Sequence, residues 1–372
     1  MKYDVCIIGG GAAGLAAAAS FNKELKVCIL DKNEKLGRKI LATGGGRCNL
    51  TNEQAEGHEE TIEFFNGLGL QVWKDEEGRF YPYSGKASDV VSILTEALGD
   101  NVSVKTGFEV KIISRLKSDV PDQGNFMIMG SEMIFADYVV MAMGGKAAPQ
   151  YGTTGDGYGI LKSMGHTITK VYPILTGVEM SGADFASLKG IRARGEVTLL
   201  RDGRPLVGDT GEIQFTEEGL SGICVFNLTP YIQVEDGQSP KEAMEHYQIS
   251  VDLAPDFSDE EFQALAEKAK ERGKASGFGL VTEKLAREAG DNIKDWRLQV
   301  RGVKGWRDAQ ATFGGVVLDE IDMETMESNI VPGLYLVGEI INRQGPCGGY
   351  NLQNAWETGV KAAKAINAVY NK

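Results

Sequence analysis

Histidine is almost absent from this chain of 372 residues: His58, His166 and His246 stand far apart and without ligand spacing. That argues against a zinc site or a histidine-based catalytic triad, and no metal is expected. Cysteine is scarce too. Cys6, Cys28, Cys48, Cys224 and Cys347 are odd in number, scattered and without any C-x-x-C pair, which reads as reduced thiols in a cytoplasmic protein. Basic residues are outnumbered, 39 Lys and Arg against 52 Asp and Glu, for a net charge of −13. Nucleic acid and anionic membrane are both bound largely through Lys and Arg, so neither is expected as a main partner. Long hydrophobic runs are missing, which argues against a membrane span. The apolar N-terminus does not read as a signal peptide, because Asp4 lies where a basic region should be and glycines interrupt the run.

Glycine, by contrast, is plentiful and clustered. The opening stretch KYDVCIIGGGAAGLAAAASFNKELKVCILDK runs from Val5, Cys6, Ile7 and Ile8 into three glycines and then into an Ala-rich segment. That predicts a strand, a tight turn and a helix. A second apolar run, Lys26 to Leu30, ends on Asp31, about twenty residues beyond the last glycine, which completes a βαβ dinucleotide fingerprint. In it Gly9 permits the tight turn, Gly11 lets the backbone approach a pyrophosphate, and Gly14 lets helix pack on strand. The helix N-terminus offers unpaired N–H groups to phosphates. Asp31 is placed to accept hydrogen bonds from a ribose diol and to repel a 2′-phosphate, so the nucleotide is of the FAD or NAD type; the fingerprint alone does not separate the two.

The length fits about two domains. After Asp31, the stretch NEKLGRKILATGGGRCNLTN carries Arg38 and Lys39, then Gly44 to Gly46, Arg47, Cys48 and Asn49, and is expected to be a ligand-facing loop. His58 to Leu70 has the apolar spacing of a helix. Gly78 to Leu98 reads as an aromatic loop followed by a helix capped by Ser84 or Ser88. Tyr81 and Tyr83 in that loop could shape a pocket, although packing alone would also account for them. Val102 to Leu116 is β-rich, centred on Val110 to Ile113. Glu132 to Met143 holds a strand that ends on Gly144 and Gly145, where backbone can meet the cofactor from a second side. Gly155-Asp156-Gly157 falls short of a second fingerprint because no strand directly precedes it.

From about Val171 short strands follow one another (Gly195 to Leu200, Pro205 to Gly208, Glu212 to Thr216), with Asp202-Gly203 as a turn, predicting an antiparallel sheet or small barrel. Ser258 to Ala289 is helical and broken by Gly273 and Gly277. The expected organisation is a first part of the cofactor domain over 1–172, an inserted β-rich domain with a short helical part over 173–304, and a closing part over 305–372. In the last part Leu334 to Val337 reads as a strand ending on Gly338-Glu339. Gly345, Gly348 and Gly349 form a tight loop, and a helix from about Asn351 can stabilise the N1–C2=O side of a reduced flavin.

IIGGGAAGLAAA, GRKILATGGGRCNLTN, GTTGDGYGILKSMGH, GEIQFTEEGLSGICVFNLTP, TFGGVVLDEID with TMESNIVPGLYLVGE, and GGYNLQNAWETG together resemble the BaiN/YhiN-like family of NAD(P)/FAD-dependent oxidoreductases, also described as aminoacetone-oxidase-family flavoproteins. The resemblance covers nearly the whole chain. It implies an α/β fold, with a discontinuous, Rossmann-like FAD domain of the two-dinucleotide-binding type and an inserted β-rich domain, and it implies FAD as the tightly held cofactor. It assigns Gly9, Gly11, Ala12, Ala13 and Gly14 to the pyrophosphate and Asp31 and Lys32 to the adenosine end. Arg38 and Gly44, Gly45, Gly46, Arg47, Cys48 and Asn49 go to the flavin-side loop, and Val110 to the adenine through its backbone. Gly144, Gly338, Glu339, Gly349, Asn351 and Leu352 complete the cofactor set. Where the family carries Asp-Val-Asp-Gly this chain has Asn342-Arg343-Gln344-Gly345, and the helical part of the inserted domain is short.

The activity implied is a reductase: NAD(P)H, docking transiently, reduces the flavin, and N5 passes hydride to an activated C=C of a small substrate, a steroid-like enone being one class. Tyr350 and Cys347 are the candidate proton donors. A flavin amine oxidase using O₂ is the enzymatic alternative. A flavin-binding redox sensor in which Cys48 or Cys347 responds to oxidation is a non-enzymatic one, and a flavin-dependent RNA modifier is disfavoured by the acidic balance. The sequence sets no oligomeric state.

Overall fold

A computed structural model describes residues 1–116, 124–235 and 237–370. The chain divides into one unit made of Met1–Tyr172 with Ala311–Lys372 and a second made of Pro173–Gln310. The first unit is built on a seven-stranded sheet. Lys2–Ile8 lies at its centre, parallel to Val27–Leu30 on one side and to Met133–Met141 on the other, and Val102–Lys105 pairs beyond Val27–Leu30. The far edge of Met133–Met141 is shared. Its first half pairs antiparallel with Phe126–Met129, and its second half pairs parallel with Leu334–Leu336 from the C-terminal segment.

Parallel strands buried on both faces need continuous apolar runs, and Val5 to Ile8 and Val27 to Leu30 supply them. The helix Ala12–Ala19 is almost wholly buried, which only small side chains permit, and the last helix, Tyr350–Tyr370, packs across it. A Cβ on Gly359 would lie 2.3 Å from the Ala13 carbonyl oxygen, so the two backbones are in direct contact there. Trp356, fully buried, donates its indole N–H to the Leu50 carbonyl and meets Phe65 edge-on.

The second unit is a closed barrel of six strands, of which Arg192–Arg201 and Arg204–Phe215 form the longest hairpin. Its turn residues Asp202 and Gly203 both take positive φ, 50° and 75°, as a two-residue hairpin turn requires. Inward residues such as Val197, Leu199, Ile213, Phe215, Ile249, Val251 and Leu298 fill the interior. A helix over Asp259–Glu271 follows, opened by a capping box in which Ser258 and Glu261 satisfy each other's backbone N–H. A shorter helix spans Glu283–Ala289.

Four local expectations are corrected. The aromatic stretch is not a loop: Arg79–Pro82 is a strand between Val72–Lys74 and Thr51–Asn52 in a small separate sheet. The helix Ala87–Glu96 is capped by neither serine. Its N-cap is Lys86, without a side-chain bond; Ser84 takes only a long bond, 3.4 Å, from the Lys86 N–H, and Ser88 lies inside the helix. Val102 to Leu116 is two strands, Val102–Lys105 and Ile112–Arg115, at opposite edges of the sheet, with Val110 between them. Finally, Pro205 to Gly208 and Glu212 to Thr216 belong to one strand, because Gly208 and Gly211 continue it where Thr198 and Cys224 crowd in.

Candidate functional site

The strand Lys2–Ile8 ends in Gly9, whose φ of 104° and missing side chain are both needed: a Cβ there would lie 2.4 Å from the Ala142 carbonyl oxygen. A Cβ on Gly14 would lie 1.9 Å from the Gly9 carbonyl oxygen, so the first helical turn sits directly on the strand end. Gly11 differs. A Cβ there would meet nothing within 4 Å, and Gly11 caps the Ala12–Ala19 helix without any side-chain bond, with no acid in the first turn. The helix N-terminus therefore keeps its free N–H groups and positive dipole end facing open space, which is what a dinucleotide pyrophosphate takes up. These residues fit FAD.

Asp31, just beyond the Val27–Leu30 strand and 8% exposed, is already engaged. Its Oδ2 accepts from the Gly10 N–H at 2.7 Å, and its Oδ1 accepts from the Asn33 N–H at 2.7 Å and from Asn33 Nδ2 at 2.9 Å. With about four acceptor positions on a carboxylate, one remains for a ribose hydroxyl. The carboxylate thus fixes the glycine turn. The segment carrying Val110 does run beside it, since the Phe108 N–H donates to the Asp31 carbonyl.

The basic residues are tied to protein partners. Lys32 pairs with Asp156 and donates to Thr154 Oγ1, while Arg38 donates to Asn33 Oδ1 at 2.6 Å and to the Gln150 carbonyl at 2.9 Å. Both fasten the 150–156 loop to the 32–38 loop. Lys39, outside the expected set, forms a half-buried ion pair with Glu339 at 2.7 Å, and Glu339 also accepts from the Thr312 N–H at 2.8 Å. Thr312 Oγ1 in turn accepts from the Lys146 and Ala147 N–H groups, beyond the Gly144-Gly145 pair. Glu339 therefore belongs to one polar knot with the backbone just beyond Gly144-Gly145, and Lys39 and Thr312 join it from outside the expected cofactor set. Their signal was weak: a lysine beside Arg38, and a threonine just before the Phe313-Gly314-Gly315 run.

The loop expected on the flavin side, Ile40–Gly46, is a 3-10 turn broken at Thr43, with Gly44 and Gly45 left-handed. Gly44 to Arg47 are exposed, whereas Cys48 and Asn49 are buried. Cys48 is left-handed as well, φ 59°, and burial pushes its thiol up to about 12. The C-terminal glycine loop rests on the residues that follow: a Cβ on Gly349 would be 2.7 Å from the Thr51 carbonyl oxygen and 2.8 Å from Asn49 Oδ1. Asn351 closes that loop by exchanging two hydrogen bonds with Gly345. Gly338 lies against Ala13, with 2.9 Å from a Cβ to the alanine methyl, and its N–H donates to Thr358 Oγ1. Leu352 packs on the core of the first unit. Gly338 from the C-terminal segment thus meets the first turn of the Ala12–Ala19 helix, on which the Gly9 turn also sits, while the Gly349 loop rests on Asn49 and Thr51. Tyr350 opens the last helix, and its hydroxyl points to Asn52 Oδ1 and Gln54 Oε1, each at 3.4 Å; burial raises its pKa, so it stays a phenol. Cys347 is half-buried in the loop before it.

The HI0933-like protein Rossmann domain model matches residues 3–59 and 55–365. The chain belongs to the HI0933-like family. It is 33% identical, over 96% of its length and 98% of the other's, to a 3-dehydro-bile acid delta(4,6)-reductase of Clostridium scindens. It is also 29% and 26% identical, over 97% and 99% of its length and 98% of each relative, to ribosomal RNA dihydrouridine synthases of Haemophilus influenzae and Escherichia coli. Among solved structures, a 3-ketosteroid delta1-dehydrogenase of Sterolibacterium denitrificans shares the fold with a TM-score of 0.54 at 12% identity, covering 99% of this chain and 100% of that one. This HI0933-like protein is a flavoprotein oxidoreductase with a Rossmann-type FAD-binding domain. Among its described residues no helix is long and apolar enough to cross a membrane.

Proposed function

We propose that this HI0933-like protein is an NAD(P)H-linked reductase that saturates an activated C=C bond of a small, steroid-like substrate. When bound, FAD supplies hydride from N5; the chain binds it, orients it and delivers the proton. The observation that carries the reading is the unspent helix N-terminus above Gly11, with the Gly9 turn at its base and Gly338 of the C-terminal segment against its first turn. Both kinds of named relative support the bond type, since a delta(4,6)-reductase and a dihydrouridine synthase each saturate a C=C.

Charge favours the small substrate over RNA. The segment 173–310 holds 17 basic and 24 acidic residues, a net −7. Its barrel cations are matched by acids, as in Arg192 with Glu212 at 3.0 Å, Arg194 with Asp256 at 2.9 Å and Arg297 with Asp295 at 2.9 Å. A surface so neutralised releases few counterions on a polyanion. For the proton, Tyr350 is a phenol held by burial beside the C-terminal glycine loop, and Cys347 is the other candidate. Asn342, Arg343 and Gln344, half-buried in the same loop, are the residues through which the substrate is selected.

The test is anaerobic reduction of the holo-protein by NADH and by NADPH, followed by reoxidation with a panel of enones, amines, oxygen and a uridine-containing RNA. Rapid reoxidation by an enone is expected. Steady peroxide release with an amine would replace the reading by an amine oxidase, and turnover of the RNA alone would replace it by the chemistry of the dihydrouridine synthases.

A further inference from the structure

In the small sheet that Thr51–Asn52 shares with Val72–Lys74 and Arg79–Pro82, the hairpin of the last two holds no residue of the cofactor set, yet its composition is unusual for an outer surface. In the hairpin Trp73 faces Tyr81 across the ladder, and the Tyr83 N–H continues the pairing to the Gln71 carbonyl. Side chains facing each other across a ladder share a face, so Trp73 and Tyr81 project from one side, while Phe80 projects from the other and stacks on His58; Tyr83 follows in the turn after Pro82. On the aromatic side the Trp73 and Tyr81 rings are stacked at 5.5 Å, and the Arg47 guanidinium lies over Tyr81 at 4.6 Å. Tyr81 is 2% exposed, Trp73 36% and Tyr83 76%. A buried central ring therefore carries a cation from the flavin-side loop on one side and an indole open to solvent on the other. Large aromatics left open beside a cationic loop are more than packing demands.

We propose that this face is the docking platform for the nicotinamide dinucleotide, with a base stacked on Trp73 and Tyr83 and the phosphates at Arg47. The proposal rests on the NAD(P)H-linked reading given above and locates the donor on the chain. Charge selects a dinucleotide over a polyanion. Lys74 is matched by Glu53 at 2.6 Å, and Arg79 by Asp75 at 2.8 Å and Glu77 at 2.7 Å, whereas Arg47 has no ion pair among the described residues. One exposed cation beside stacked aromatics, its Nε donating to the Gly44 carbonyl at 3.4 Å, suits a ligand with a pyrophosphate and planar bases. It also places such a ligand at the exposed Gly44 to Arg47 loop, on the flavin side, without a second glycine fingerprint.

The test uses the holo-protein, wild type and Trp73→Ala, with Trp73→Phe as the conservative variant. Flavin reduction is followed anaerobically against NADPH concentration, and NADP⁺ binding is titrated separately. Base–aromatic stacking sets the expected scale, a five- to hundredfold rise in the saturation constant, roughly, for Trp73→Ala. The limiting rate, reduction by dithionite and enone-driven reoxidation should not change, and Trp73→Phe should restore most of the affinity. NADPH reduction that saturates identically in Trp73→Ala overturns the platform while leaving the NAD(P)H-linked reading intact. Trp73-dependent NADP⁺ binding without any flavin reduction supports the platform and removes the nicotinamide from the proposed reaction. Absence of nucleotide binding, or Trp73-dependent binding of a single-stranded RNA but not of NADP⁺, overturns the platform.

Discussion

Two glycine-to-alanine substitutions in helices of the first unit should have opposite signs. Gly159 lies in the Asp156–Ser163 helix, exposed, and a Cβ there meets nothing within 4 Å. Alanine should stabilise it by about 0.5–1 kcal/mol, the usual helix-interior difference. Gly359 lies in the Tyr350–Tyr370 helix, where a Cβ would come 2.3 Å from the Ala13 carbonyl oxygen and 3.2 Å from the Ala17 nitrogen. A comfortable contact needs about 3.5 Å, so the last helix must retreat from the Ala12–Ala19 helix by about 1 Å. Overpacking of that kind costs about 1–3 kcal/mol against the same propensity gain. Net of that gain, and at about 2–4 °C per kcal/mol, Gly359→Ala should lower the melting temperature by up to about 10 °C while Gly159→Ala raises it slightly. Because the helix it presses on, Ala12–Ala19, carries the fingerprint turn, Gly359→Ala should also shed FAD more readily on dilution, read as loss of protein-bound flavin absorbance. Equal, small effects of the two substitutions would refute the claim that direct backbone contact between the terminal helices positions the cofactor turn.

Other consequences are as specific. Asp31→Asn should cost about 1.5–3 kcal/mol in denaturant unfolding of the apo-protein as well as weaken FAD, because the bonds it loses run to Gly10 and Asn33 rather than to ligand. His166 is buried, bonded to Ser328 Oγ, and burial lowers its pKa despite the opposing Glu320 carboxylate. The unfolded chain therefore binds that proton more readily, so the stability is complete above about pH 6.5 and falls as pH drops from there towards the folded value. Urea titrations from pH 5 to 8 should show this slope in the wild type and a shallower one in His166→Gln. Cys48, with its thiol pushed up to about 12 by burial, should resist a disulfide reagent at pH 8 in the native state while half-buried Cys347 reacts. Rapid labelling of Cys48 would revive the redox-sensor alternative.

The parts of this molecule that could be read from the chain are those whose chemistry is local. Val5 to Gly14 needs only its own residues to form strand, turn and helix, and Ser258 and Glu261 cap their helix by themselves. What escaped reading depends on partners distant in sequence. Val102 to Leu116 separates into strands at opposite sheet edges because Val27–Leu30 claims one and Phe126–Met129 the other. Gly208 and Gly211 look like breaks, yet they continue a strand because neighbours occupy the space a side chain would fill. In the candidate site, glycine positions were legible because close approach leaves a compositional mark. The directions of Lys32, Arg38 and Lys39 were not, since long cationic side chains take whichever acid or carbonyl folding brings near, here Asp156, Gln150 and Glu339.

The contact between Ala13 and Gly359 also sets an order of events during synthesis. The two residues are about 350 positions apart, so at roughly 5–20 residues per second the N-terminal βαβ unit waits about 20–70 s for the helix that covers it. Over that interval the Ala-rich helix and the edge of Met133–Met141 that receives Leu334–Leu336 stay uncovered on the ribosome, while the intervening Pro173–Gln310 barrel has all its strands in hand. Maturation of the nascent polypeptide is thus gated from its C-terminal end. Truncations or translational stalls after the barrel should yield chains that hold that barrel yet capture no flavin, and that depend on chaperones to survive.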